Sequence, residues 1–336
     1  MIQQKLSVAD GTKTYRKLRN KVTAAGILER SYSYYALLTI FAFAGFFLSM
    51  YAIVLSKSLL ASGIFAVVFA FFVVQLGGVV HDSGHRAIFK SIKNNDMLGF
   101  IASFFIVTSF TNWKKRHNLH HAETNQENDP DINVPFLSFT NERISSKRGF
   151  EKLVRKYQAY IYFPILLLIP VAERYDAMLY FSKRVNSKHI LEMIIFIVGA
   201  FAWFFLPFFI FSFSKALVVV AVYNAISGFY LGNIFAPNHK GMIELKKSTP
   251  ISFLEHQIIT SRNIRPNPLV DFIYLGLNYQ IEHHLFPNCP RNKLHLITPY
   301  VRDICSKADL EFTETSIIES NRIILSELNR IAKTAT

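Results

Sequence analysis

The sequence predicts an all-α integral membrane protein, with four transmembrane helices in two hairpins and a cytoplasmic helical cap holding a histidine-rich dimetal site. Three observations predict this fold. Hydrophobic residues make up 51% of the 336 residues and aromatics 15%, including 32 Phe, which exceeds the needs of a soluble core. Four apolar stretches reach the roughly 20 residues that a helix needs to cross a hydrocarbon core about 30 Å thick. Seven of the eleven histidines fall in three short clusters outside those stretches.

The chain reads as a cytoplasmic N-terminal arm over 1–31, a membrane domain over 32–304 and a cytoplasmic amphipathic tail over 305–336. Spans are predicted at about 34–55, 59–80, 190–213 and 216–237. Short loops around Lys57 and Lys215 join them into hairpins that start and end on one side. Cytoplasmic loops are enriched in Lys and Arg. Of the 37 basic residues 35 lie outside the hairpins, with Lys57 and Lys215 alone opposite, so everything outside the hairpins is predicted to be cytoplasmic.

Two apolar runs, at about 97–110 and 159–172, are too short to span and read as interfacial or re-entrant helices, the second made irregular by Pro164 and Pro170. A fifth span over 159–180 is the alternative, but it would move the third histidine cluster to the opposite side. The first 30 residues hold seven basic residues and no apolar signal core, so the first span is expected to act as the targeting signal. Ser316 and Glu319 form a capping box that opens a tail helix carrying Ile317, Ile323, Ile324, Leu328 and Ile331. The net charge of +14, in so apolar a chain, points to anionic lipid headgroups and away from nucleic acid. Cys289 and Cys305 have no partner spacing and read as reduced thiols.

The clusters are His81-Asp-Ser-Gly-His85, His117-Asn-Leu-His120-His121 and Gln280-Ile-Glu-His283-His284. Helical residues at i, i+3 and i+4 share a face, close enough for two imidazoles to reach one metal ion. A lone HxxxH is commonly a pair of solvated histidines, but three clusters on one side of a membrane are not. Seven imidazoles exceed what one four-coordinate zinc takes, and imidazole suits iron as well as zinc, so a dinuclear site fits. Asp82, Glu123 and Glu282 are placed to orient ring N–H groups. The third cluster is predicted near the end of a helix that Asn267 caps and Pro268 begins.

These clusters, with Trp113-Lys-Lys-Arg-His117, Asp129-Pro-Asp131-Ile132, Thr260-Ser-Arg-Asn263-Ile264 and His283-His284-Leu-Phe-Pro287, resemble the membrane fatty acid desaturases over about 32–304. The resemblance implies two iron ions, O2 as co-substrate and two electrons, used to insert a cis double bond into an acyl chain. QIEHHLFP, with Gln280 leading the third box, resembles the front-end subgroup, which places the new bond between an existing one and the carboxyl end. The sequence contains no HPGG-type haem motif, which implies a separate donor, a ferredoxin or cytochrome b5 with its reductase. The expected substrate is a membrane lipid or an acyl-CoA, and the expected membrane is a bacterial inner membrane, or the ER in a eukaryote.

Gln280 binds metal less readily than imidazole, so His239, which leaves the fourth span on the catalytic face, is expected as the eighth ligand. Trp113, Lys114, Lys115 and Arg116 suit a phosphate-bearing headgroup or CoA, and Asn224 and Ser227 are candidate borders of an acyl tunnel. A lipid hydroxylase or decarboxylase on the same scaffold is the main alternative. A metal transporter would place its ionisable ligands inside broken spans, and these spans carry almost none.

Overall fold

The computed structural model describes residues 5–132, 134–183 and 187–334; the first four residues of the predicted arm and the last two of the tail lie outside that set. The described residues are mainly helical, with a short parallel ladder pairing Asn263–Ile264 with Glu314–Thr315. They divide into two compact units. The first comprises Met1–Glu29, Arg116–Tyr162 and Ile234–Thr336, the second Arg30–Lys115 and Phe163–Asn233.

Among the described residues three helices are long and apolar enough to cross a membrane: Tyr32–Leu55, Leu59–Gly84 and Phe213–His239. The first two match their predicted spans, but the second runs on through His81, so the first histidine box is its last turn. The third likewise runs past 237 to end on His239. The span predicted at 190–213 is irregular, with helical backbone carried through Leu206 at φ -54° and ψ -37°. Ser187–Ala200 gives way to a π-helical turn over Phe201–Phe205 and a short helix Pro207–Ile210. The Leu206 N–H reaches back five residues to the Phe201 carbonyl, and Pro207 has no N–H with which to restore the regular ladder.

The predicted interfacial runs also shift. The first is Ile92–Ile106, stopped by Val107 in the left-handed region at φ 56°. The second breaks into Gln158–Leu166 and Ile169–Ser182, with Pro170 in the first turn of the latter, where a missing N–H costs nothing.

In the first unit the helix Val8–Ala24 buries Leu18 and Val22 in a core with Leu254, Ile258, Ile281, Leu285, Ile297 and Val301. The capping box forms: Glu319 N donates to Ser316 Oγ at 3.1 Å and Ser316 N to Glu319 Oε2 at 3.4 Å, and the helix Ile317–Thr334 buries Ile324, Leu328 and Ile331. Asn267 caps Pro268–Ile273 as expected, through Leu269 N and Val270 N. That helix ends well before the third box, because Leu275 and Gly276 turn left-handed at φ 59° and 76°. A Cβ at Gly276 would also lie 2.8 Å from Arg291 Cβ. The third box therefore stands on its own helix, Gln280–Leu285.

Candidate metal centre

Three segments of the first unit bring six imidazoles together. The helix Phe110–Ala122 carries His117, His120 and His121, the last residue of Phe213–His239 is His239, and Gln280–Leu285 carries His283 and His284. Ring centres lie 4.8 Å apart for His120 and His239, 4.7 Å for His239 and His284, 5.1 Å for His120 and His284, and 4.8 Å for His121 and His283. His117 and His121 approach through Nε2 atoms at 3.1 Å. His120, His239 and His284 each offer a ring nitrogen within 4.8 Å of the others.

The protein fixes the tautomer of those three rings. His120 Nδ1 lies 3.0 Å from both Asp129 oxygens, His239 Nδ1 lies 3.1 Å from the Thr260 carbonyl, and His284 Nδ1 lies 2.8 Å from Gln257 Oε1. Carboxylate and carbonyl oxygens only accept, so each Nδ1 donates and each Nε2 carries a lone pair. The Gln257 amide is oriented by its Nε2, which donates to the His121 carbonyl at 3.1 Å. Asp129 is itself held by the N–H groups of Asn125 at 2.8 Å and Asp131 at 2.9 Å. His284 Nε2 is buried with no hydrogen-bond partner. A buried, unsatisfied acceptor is costly, and a metal ion satisfies it, so the donor set fits a metal that prefers imidazole.

Electrostatics separate the rings. Burial opposes charge on His120, but the hydrogen bond to Asp129 and the charges of Asp131 and Asp129 lift its pKa above the ordinary value. His284 lies well below that value, through burial and then the neighbouring imidazoles, which keeps it neutral as a ligand must be.

In the second unit the first box is supported separately. His81 Nδ1 lies 3.0 Å from Asp82 Oδ1, whose other oxygen accepts from the Tyr35 hydroxyl at 2.9 Å. The rings of His81 and His85 are 4.7 Å apart. A Cβ at Gly84 would lie 2.6 Å from the Trp113 ring, so only glycine admits that indole beside His81.

Other expected residues are placed differently. The Glu282 carboxylate accepts from Asn263 Nδ2 at 2.7 Å instead of orienting a ring, and burial raises its pKa. Glu123 Oε2 is buried with no hydrogen-bond partner. Gln280 Nε2 lies 2.8 Å from His239 Nε2, with Gln280 Oε1 accepting from Asn238 at 3.0 Å. Lys114 pairs with Asp96 at 2.6 Å and Arg116 with Asp131 at 3.5 Å, while Lys115 is exposed. Asn224 accepts from Arg174 at 2.7 Å, and Ser227 is buried. Sequence reasoning missed Gln257 and the roles of Thr260 and Asp129, whose signal was their place at the head of Thr260-Ser-Arg-Asn263-Ile264 and Asp129-Pro-Asp131-Ile132. His256 Nε2 lies 2.7 Å from the Thr124 carbonyl.

The family model for fatty acid desaturase matches residues 57–316. The chain is 29% identical to an acyl-lipid (9-3)-desaturase of Physcomitrium patens over 96% of its own length and 63% of that protein. It is 27% identical to a Delta(5) fatty acid desaturase of Caenorhabditis elegans, covering 96% and 74%, and 28% identical to a Delta(8)-fatty-acid desaturase of Euglena gracilis, covering 98% and 81%. This chain spans less than two thirds of the Physcomitrium relative and about three quarters to four fifths of the other two. On the family match the chain belongs to the fatty acid desaturases.

Proposed function

We propose that the protein is a front-end acyl desaturase, inserting a cis double bond between an existing one and the carboxyl end of a fatty acyl chain. The observation that carries this reading is the set of His120, His239 and His284, each with Nδ1 held by an acceptor and a lone pair on Nε2, open at His284 and shared with the Gln280 amide at His239. QIEHHLFP and the similarity to a Delta(5) and a Delta(8) fatty acid desaturase support the front-end type. In this proposal two iron ions are bound, with His117, His120, His121, His239, His283 and His284 of the first unit as ligands; His81 and His85 are proposed as ligands on the strength of their own box, His81-Asp-Ser-Gly-His85.

Bound iron would supply O2 activation and the oxidising power to take hydrogen from an unactivated methylene pair. Overall, CH2–CH2, O2, two electrons and two protons give CH=CH and two waters. The chain's own residues hold the ligands: Asp129, Thr260, Gln257 and Asp82 fix imidazole orientation. The acyl carrier is a membrane lipid or CoA. Electrons come from a ferredoxin or a cytochrome b5, and the catalytic face is cytoplasmic on the basic-residue bias.

Expression in a host of known lipid content, followed by gas chromatography and mass analysis of acyl methyl esters, tests this. A product two hydrogens lighter, unsaturated on the carboxyl side of an existing double bond, is expected. A product one oxygen heavier makes the protein a hydroxylase.

A further inference from the structure

Gly149–Val154, Arg155–Tyr157 and Gln158–Leu166 follow one another as an almost continuous helical stretch. Its inner side is fixed. Gln158 donates to the Leu328 carbonyl at 2.7 Å and accepts from Ser138 N at 2.8 Å, Glu151 accepts from Phe136 N at 3.1 Å, and Tyr162 is buried. The outer side has the opposite character. Phe150, Leu153, Tyr157 and Tyr160 recur every three to four residues and are 67%, 67%, 50% and 79% exposed. Exposed Arg148, Lys152 and Lys156 flank them, with the Lys156 ammonium 4.9 Å from the centre of the Tyr157 ring.

An apolar stripe of this kind is unfavourable in water and marks a surface that is covered. We propose that it is covered by a lipid bilayer: Phe150, Leu153, Tyr157 and Tyr160 sit in the interfacial layer, and Arg148, Lys152 and Lys156 bind anionic phospholipid headgroups. Aromatic rings with polar tips settle at headgroup depth, and each lysine or arginine near an anionic leaflet adds attraction. An acidic protein would match the cations but leaves the two fully apolar side chains, Phe150 and Leu153, without a reason. Along the chain the stripe also leads directly into the apolar helix Gln158–Leu166, in a protein that carries membrane-crossing helices.

The test uses the full chain in nanodiscs with nitroxide labels at Leu153→Cys and Tyr160→Cys, and at Ser145→Cys as an exposed reference. Cys289 and Cys305 are 3% and 2% exposed, so the label goes to the introduced thiols. In discs containing phosphatidylglycerol, both labels should be relaxed by O2 more than by a water-soluble nickel chelate, at depths of about 5–10 Å. They should rise toward water in pure phosphatidylcholine, and Lys152→Gln with Lys156→Gln should abolish that difference. Nickel access equal to that at position 145 in both lipids overturns the proposal. Equal depth in the two lipids overturns the anionic requirement. Spin–spin broadening between labels of two chains means that a second copy covers the stripe, which also overturns it.

Discussion

In the second unit the interior is aromatic. Phe46 lies against Phe69, Phe105 and Trp203 with ring centres 4.7, 5.3 and 5.2 Å apart, while Leu37, Leu48 and Leu60 stay exposed on the outside. In the first unit the apolar core around Leu254 and Ile281 shares the interior with buried Arg262, Asn263, Gln257, Asp129 and Glu282. Lipid offers no hydrophobic gain for hiding a leucine, so the second unit is held by shape and by a few polar pairs such as Arg174 with Asn224. The first unit uses its apolar core for stability and its polar groups to aim imidazoles. Substitutions beside the first unit's imidazoles should therefore change iron binding, and those in the second unit's aromatic and polar packing, away from His81, Asp82 and His85, should change stability.

The largest effect is expected at the ligands. His239→Ala or His284→Ala should lose iron and turnover by more than the 10–100-fold typical of supporting residues, with membrane insertion intact. Full iron occupancy in His239→Ala, measured by metal analysis, would show that its place beside His120 and His284 is only structural.

Next comes Asp129→Asn. The asparagine keeps the shape but removes the charge that faces His120 Nδ1, so iron affinity should fall about 10–100-fold. Gln257→Leu should cost less, since it removes a neutral acceptor from His284. Titration with ferrous iron, read by absorption and not by activity, separates the two variants. Equal losses would mean that charge on Asp129 is irrelevant.

These supports were the least legible parts of the sequence. The boxes, the caps at Asn267 and Ser316, and the ends of the first hairpin follow local rules and could be read directly. His284 and Gln257 are 27 positions apart, and Thr124 and Gln257 133 apart, so no spacing rule joins them. For the span at 190–213, hydropathy counts apolar residues and is blind to the π-helical turn over Phe201–Phe205 ahead of Pro207. The third box misled because the left-handed turn at Leu275 needs tertiary contacts to hold a residue that is not glycine. Glu282 turns to Asn263 because nearness in sequence does not aim a carboxylate.

On the other side of the comparison, Arg174→Met should leave the Asn224 side-chain oxygen buried without its donor. The expected cost is about 1–3 kcal/mol. It should appear as a lower melting temperature in detergent with iron stoichiometry unchanged. Because Arg174 Nη2 also approaches the Ile106 carbonyl, Asn224→Leu alone should cost less. Iron lost in step with stability would mean that the two units do not divide labour as argued.

The smallest effect is expected at Gln280. Its Nε2 is 2.8 Å from His239 Nε2, and since His239 Nδ1 donates to Thr260, that Nε2 is the acceptor. One lone pair cannot both accept from Gln280 and bind iron, so the two compete. A neutral hydrogen bond is worth about 0.5–1.5 kcal/mol, or roughly two- to twelvefold in affinity. Asn238 limits any relief, because its Nδ2 holds Gln280 Oε1 at 3.0 Å and keeps the amide NH2 turned toward His239. Gln280→Leu should then bind iron as tightly as the parent or a few-fold more tightly. Gln280→His should retain iron, since it adds an imidazole at a position already facing His239. A large loss of iron in Gln280→Leu would reverse the assignment and make the amide a necessary support for the His239 ring.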